Sequence, residues 1–425
     1  MSRSIQDNNL LYNILCPLVK FGTRCHYHHF VVRGRENLPT DGAYIIAPCH
    51  QQALMEPLAV LRIAPKPPVF LARADIFRKP TIRAILTFLR ILPVYRIRDG
   101  QESLGKNQEI FDRCREVLLD GYPLCLMAEG RHNDRHHMLP LRKGMFRIAG
   151  ETQLAMGDRP LYIVPTGIDF DDYERPYSNV VVNIGKPIPV QPFMATYREN
   201  EPVALNQMRD ALAAALSPLM LDIRDEERYD EIWTLCNTLN KEYRQREGLK
   251  NTAWNRFLMR QKIAQEVESK RDACGIPGRA GEGAKLKVES GTGKARRRSV
   301  VPTVLAVLVV AAVVAAAVLV PVVRWVLLFA LVCYPLPLIP THRIVKKKVA
   351  DPQFRSSFNF GVRLVLSIVY ALVIGIVMAA TGGMWMSRVA DLGAWWGLIA
   401  VAWVHVAARL TAPVVSFLRP LVSFF

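Results

Sequence analysis

The sequence predicts an α/β domain, a mainly parallel sheet flanked by helices, followed by a C-terminal group of transmembrane helices. Three observations carry this prediction. Short runs of strand and helix character alternate from residue 29 to about residue 190, and alternation of this kind argues a parallel sheet covered by helices. Charged residues fill the first 300 of the 425 positions, whereas the positions beyond contain long apolar runs. Between the two, residues 273–299 are rich in Gly, Lys and Arg and nearly free of large apolar groups, the composition of a flexible basic linker.

Residues 1–28 form the first segment. Within it, 9–24 (NLLYNILCPLVKFGTR) places apolar side chains over much of a helix that is too short to span a bilayer. It reads equally as a helix lying in the membrane interface and as one packed on the core. The sheet domain follows at 29–200. FVVRGRENLPTDG is a strand and turn, and AYIIAP from Ala43 is a buried strand. Helices and strands then alternate through LAVLRI, PPVFLA, TIRAILTFLRIL, LPVYRI, IFDRCREVLL, PLCLMA, GMFRIAG and LYIVPTGIDF. NVVVNIGKPIPV from Asn179 supplies the last strand pair.

Residues 201–272 read as a charged helical extension with no new catalytic cluster. The segment 300–425 reads as about four spans, at 301–320, 325–340, 364–381 and 393–411. Arg296, Arg297 and Arg298 precede the first, and Lys346, Lys347 and Lys348 lie between the second and third, which places both ends in the cytoplasm. A re-entrant 325–340, with its three prolines, would invert the C-terminal topology.

A net charge of +18 attracts either nucleic acid or an anionic membrane surface. No zinc-finger spacing or other nucleic-acid signature is present, and the basic triplets flank apolar segments, so anionic membrane lipids are the expected partner and nucleic acid is not. The eight cysteines form no C-x-x-C pair, which suits a reducing compartment. The N-terminus lacks the features of a secretory signal, so the expectation is an integral membrane protein with its first 300 residues in the cytoplasm.

Two clusters carry chemistry. APCHQQALMEPLAV puts His50 and Glu56 just beyond a buried strand, where side chains meet ligands in open α/β sheets. A neutral imidazole can take a proton from a hydroxyl, and a carboxylate can orient the ring and stabilise imidazolium. Positions six apart diverge on a continuous helix, so the pair requires an irregular turn, to which Pro57 contributes by biasing Glu56 away from helical geometry and starting a helix at LAVLRI. Read otherwise, Glu56 only complements a helix dipole.

The second cluster is LMAEGRHNDRHHMLPLRKG. There Glu129 and Gly130 follow another apolar strand and precede Arg131, His132, Asp134 and Arg135. Glycine admits close backbone approach, arginine holds phosphate, and a carboxylate accepts bonds from a polyol hydroxyl. In LPVYRIR, Arg96 and Arg98 lie at strand period and can face one side of the sheet. Cys25, His26, His28 and His29 are packed too closely to suggest a metal site. Cys49 reads as a core cysteine, and His136 and His137 as part of a solvated loop.

With these residues in place, the chain resembles the glycerolipid acyltransferase superfamily that includes bacterial 1-acylglycerol-3-phosphate acyltransferases. Four blocks match in order over roughly residues 10–190. His50 to Glu56 resembles the family's His-and-acid block, LPVYR ending at Arg96 its arginine block, Ala128 to Gly130 its Pro-Glu-Gly block, and Ile163 to Pro165 its hydrophobic-Pro block. Five residues separate His50 from Glu56, where the common pattern has four and an Asp. Ala128 replaces the usual Pro, and His132 stands where many members have Arg. The stretch from Glu129 to Gly144 is similar to fungal glycerol-3-phosphate/dihydroxyacetone-phosphate acyltransferases, and the C-terminal region to Bacteroidetes lysophosphatidate acyltransferases.

The resemblance implies the glycerolipid acyltransferase fold, a bacterial inner-membrane location, and transfer of a fatty acyl group from acyl-CoA or acyl carrier protein to 1-acyl-glycerol-3-phosphate, giving phosphatidate. Glycerol 3-phosphate or dihydroxyacetone phosphate is the alternative acceptor. No cofactor, metal or acyl-enzyme is implied. His50 and Glu56 are the expected catalytic pair, with Arg96, Glu129, Gly130, Arg131, His132 and Lys143 around the acceptor. The rival reading is a catalytically inactive, membrane-anchored lipid-binding protein, which a turnover assay separates.

Overall fold

The computed structural model describes residues 4–7, 9–95, 101–133, 135–173 and 178–274, together with 345, 349, 354–362, 364–366 and 369. Met1–Ala273 and Val349–Phe360 form one compact unit; Cys274–Lys348 and Gly361–Phe425 form a second. The second unit falls almost wholly outside the described residues, as do the linker and the candidate spans. Among the described residues no helix is long and apolar enough to cross a membrane.

Chain order in the first unit runs α1 (Leu10–His26), β1 (His29–Arg33), β2 (Ala43–Pro48), α2 (Met55–Ile63), β3 (Val69–Arg73), α3 (Pro80–Phe88), β4 (Ile91–Val94), α4 (Gln101–Leu119), β5 (Leu124–Cys125), α5 (Gly144–Met156), β6 (Leu161–Phe170), β7 (Asn179–Ile184), β8 (Ile188–Pro189), α6 (Met194–Glu199), α7 (Glu201–Leu216), α8 (Tyr229–Thr238), α9 (Asn240–Arg246) and α10 (Ala253–Cys274). The strands make one sheet in the order β1-β7-β6-β2-β5-β3-β4, with β8 beside β6. Pairing is parallel except where β7 and β8 meet β6. The expected mainly parallel sheet is therefore present.

Every residue of β2 is buried, which explains why AYIIAP shows no polar alternation: a central parallel strand is covered on both faces. Between sheet and helices lies a core that includes Ile45, Val69, Cys114, Leu118, Leu124, Phe146, Leu161, Ile163 and Met208. Asn9 caps α1 by accepting from the amides of Leu11 and Tyr12. One side of α1 buries Tyr12, Cys16 and Thr23, and the other leaves Leu10, Leu11, Ile14, Leu18 and Phe21 exposed. The helix is thus docked through one face and apolar on the other as well.

Residues after Glu201 pack back onto the sheet domain. Phe257 and Ala253 of α10 cluster with Val181 of β7, and a second cluster joins Ile232 and Cys236 of α8 to Ile263 and Ala264 of α10.

Candidate active site

β2 and β5 are parallel neighbours, with Ile45 and Ile46 opposite Leu124 and Cys125, so the chain segments leaving them emerge side by side at one end of the sheet. His50 leaves β2 and Glu129 leaves β5. Topology therefore joins the two clusters, and hydrogen bonds lock them together. The His50 amide donates to Glu129 Oε1 at 2.9 Å, and the Asn133 amide donates to the His50 carbonyl at 3.0 Å.

His50 Nδ1 lies 2.7 Å from Glu56 Oε2. The remaining oxygen, Oε1, accepts the amides of Gln51 at 2.5 Å and Gln52 at 2.9 Å. Glu56 is fully buried, whereas the His50 side chain retains 14% exposure, so one partner is enclosed and the other faces outward. The helix starts one residue before this acid, at Met55, and not after it as the sequence suggests. Pro57 is tolerated because a first-turn position has no intrahelical partner for the missing N–H. The irregular turn is instead supplied by residues 51–54. Glu56 consequently serves in both expected ways, at a helix N-terminus and as the partner of His50.

Glu129 is 1% exposed, and both its oxygens accept backbone amides, Oε1 from His50 and Oε2 from Leu139 at 3.0 Å. In this arrangement it ties the two strand ends together. Burial pushes its pKa up to about 8, against the lowering effect of the two amides. Gly130 follows with φ +68°, the left-handed conformation that lets the chain turn directly after a buried carboxylate. The His132 ring stands edge-on to His50 with centroids 5.6 Å apart, and Phe354 stands edge-on to His132 at 5.5 Å. Arg131 and Lys143 are exposed, with Lys143 immediately preceding α5. Arg96, Arg98 and Asp134 lie outside the described residues.

Cys49 is a buried thiol whose sulfur meets the backbone of Ile168, and burial pushes its pKa well above the usual thiol value. It is a core cysteine, as its place beside a strand end suggests. Among the described residues, no group of three or more His, Cys, Asp or Glu side chains is placed to hold a metal ion.

The expectation for His136 is overturned. It is 1% exposed, stacked on Tyr173 with centroids 5.0 Å apart and lying 4.3 Å from the Trp233 ring of α8. Its Nδ1 is 3.1 Å from Tyr173 Oη and 3.5 Å from Asp169 Oδ1. Arg260 of α10 pairs with both Asp169 and Asp171 in the same interior. His137 is half-buried against Asp222, whose bond raises the imidazole pKa. The covering residues lie far along the chain, so nothing near His136 in sequence marks it as buried. Tyr173 and Asp169 were missed for the same reason, and Gln51 and Gln52 because they act through backbone amides.

Residues 29–169 match the family model described as Acyltransferase. The chain is 24% identical over 185 residues to a chloroplastic 1-acyl-sn-glycerol-3-phosphate acyltransferase, LPAT1, of Arabidopsis thaliana; the match covers 39% of this chain and 49% of that protein. The chain therefore spans about half the length of the curated relative it matches. Among solved structures, the 1-acyl-sn-glycerophosphate (LPA) acyltransferase PlsC of Thermotoga maritima is 20% identical, with a TM-score of 0.33, covering 46% of this chain and 76% of that one.

Proposed function

We propose, from the match of residues 29–169 to the Acyltransferase family model, that the chain is a glycerolipid acyltransferase which moves a fatty acyl group from an acyl thioester to the free hydroxyl of 1-acyl-glycerol-3-phosphate. The observation that carries this reading is the buried Glu56 carboxylate bonded to Nδ1 of a partly open His50. With the Nδ1 proton directed to Glu56, Nε2 is left as the acceptor. His50 takes the acceptor hydroxyl proton as the oxygen attacks the thioester carbonyl, and Glu56 stabilises the imidazolium. The tetrahedral intermediate collapses, the C–S bond breaks, and the departing thiolate recovers the proton. Oxygen ester and free thiol are the products.

In this reading Arg96, with Arg131 or Lys143, holds the acceptor phosphate, the donor is acyl-CoA or acyl carrier protein, and 300–425 anchors the chain in the membrane. The exposed apolar face of α1 lies against lipid, with anionic headgroups attracted by the basic surface. The test uses purified full-length protein in detergent, each thioester donor, and lysophosphatidate or glycerol 3-phosphate as acceptor. Phosphatidate should form from lysophosphatidate, and His50→Ala should lose roughly a hundredfold to ten-thousandfold in kcat. Product from glycerol 3-phosphate alone would reassign the acceptor, and wild-type turnover by His50→Ala would reject the mechanism.

A further inference from the structure

The second oxygen of Glu56 sits in a cradle whose support comes from outside the two clusters. Gln51 and Gln52 hold Oε1 through their backbone amides, and both of their side chains end on one residue. Tyr173 Oη donates to Gln51 Oε1 at 2.8 Å, and Gln52 Nε2 donates to the Tyr173 carbonyl at 2.6 Å. Tyr173 thus fastens both halves of the dipeptide that fixes the orientation of the carboxylate. A carboxylate held by one oxygen alone can rotate about its terminal torsion, which is broad and roughly two-fold.

Tyr173 is itself braced by the helical extension. Its ring stacks on His136, whose amide donates to Tyr229 Oη of α8 at 2.9 Å and whose carbonyl accepts the Ile223 amide at 2.7 Å. Burial, with Arg260 nearby, holds His136 well below the usual imidazole range, so it is neutral and carries one ring proton. Placed on Nδ1, that proton points to Tyr173 Oη at 3.1 Å, leaving the phenol proton for Gln51. The direction of the chain is then His136 to Tyr173 to Gln51, ending at the dipeptide whose amides grip Glu56.

We propose that Tyr173 is a positioning residue for acyl transfer, which clamps Gln51 and Gln52 so that Glu56 presents Oε2 to His50, and that α8 acts on the site through it. The proposal rests on the reading of His50 and Glu56 given above. It gives the helical extension a part in the reaction through the bond from the His136 amide to Tyr229 Oη.

Tyr173→Phe removes the hydroxyl and keeps the stacking ring. In full-length protein kcat should fall roughly tenfold, with the acceptor KM unchanged, because the defect lies in orienting the base and not in binding. Gln51→Ala removes the other end of the same bond and keeps the amide that holds Glu56; it should give the same loss, and the double variant should lose no more than either single one. Amide exchange in a peptide containing residues 51 and 52, read by mass spectrometry, should quicken about tenfold in Tyr173→Phe. Unchanged kcat and exchange in Tyr173→Phe, or fully additive losses in the double variant, would overturn the proposal. If Tyr173→Phe fails to fold, Gln51→Ala decides by its kcat-to-KM split. If the wild-type chain turns over none of the acceptors, the functional reading fails, and the exchange measurement alone decides whether the clamp exists.

Discussion

Glu56 is one methylene longer than the aspartate common in glycerolipid acyltransferases, and the turn around it uses that length. Its two oxygens have three partners, His50 Nδ1 and the amides of Gln51 and Gln52. Glu56→Asp cannot reach all three without moving the backbone, so kcat should fall roughly tenfold to a hundredfold with the acceptor KM little changed. Glu56→Gln must turn an NH2 group toward either His50 or the two amides, all of which need an acceptor, and should cost on the order of a hundredfold or more. Wild-type kcat in both variants would leave Glu56 as a helix-terminus residue only. Glu129 makes a second, pH-linked prediction. Its folded pKa of about 8 lies above the ordinary 4.5, so between those values the unfolded chain releases a proton that the folded chain keeps. This group therefore contributes stability that is lost as pH rises from about 4.5 through 8, and Glu129→Gln should flatten that slope in urea melts across the window. An unchanged slope would show that the carboxyl does not titrate there.

Elements were legible where a local pattern decides them. AYIIAP and LYIVPTGIDF are strands because a strand covered on both faces needs a mostly apolar run, and the buried β2 and β6 follow them, while PPVFLA gives β3, which is buried only at its start. The two polar clusters around His50 and Glu129 were legible because each occupies a few consecutive residues at a strand end. The start of α2 was not, since Pro57 restricts Glu56 in general but the first turn of a helix absorbs that restriction. The burial of His136 was not legible either, because it depends on Trp233 and Tyr229 folding back from α8. Gly130 offers a test at this scale. A Cβ there would lie 3.2 Å from Arg142 Cγ on a backbone with φ +68°. Gly130→Ala should cost about 1–2 kcal/mol of stability from the left-handed conformation and lower kcat by shifting Glu129. A melting midpoint equal to wild type would refute the strain.

For the molecule as a whole, removing residues 300–425 should leave the chain bound to vesicles containing anionic lipid at low salt, because α1 keeps its exposed apolar face and the remaining sequence keeps an excess of Lys and Arg. Turnover should nonetheless fall, since the deletion takes away Phe354 beside His132 and Ser356 and Phe360 beside His26, all within the first unit. Flotation and activity assays on the same preparation check both halves, and a fully soluble product would reject the first. Sheet order also bears on how the chain is made. The sheet pairing of β1 is with β7, His29 opposite Asn179, 150 positions later. At roughly 5–20 residues per second of synthesis, β1 leaves the ribosome on the order of ten seconds before its neighbour exists. During that interval the newborn chain presents an unpaired strand directly behind an amphipathic helix. A lipid surface that takes up the helix early would hold this sticky edge away from other nascent chains until β7 arrives.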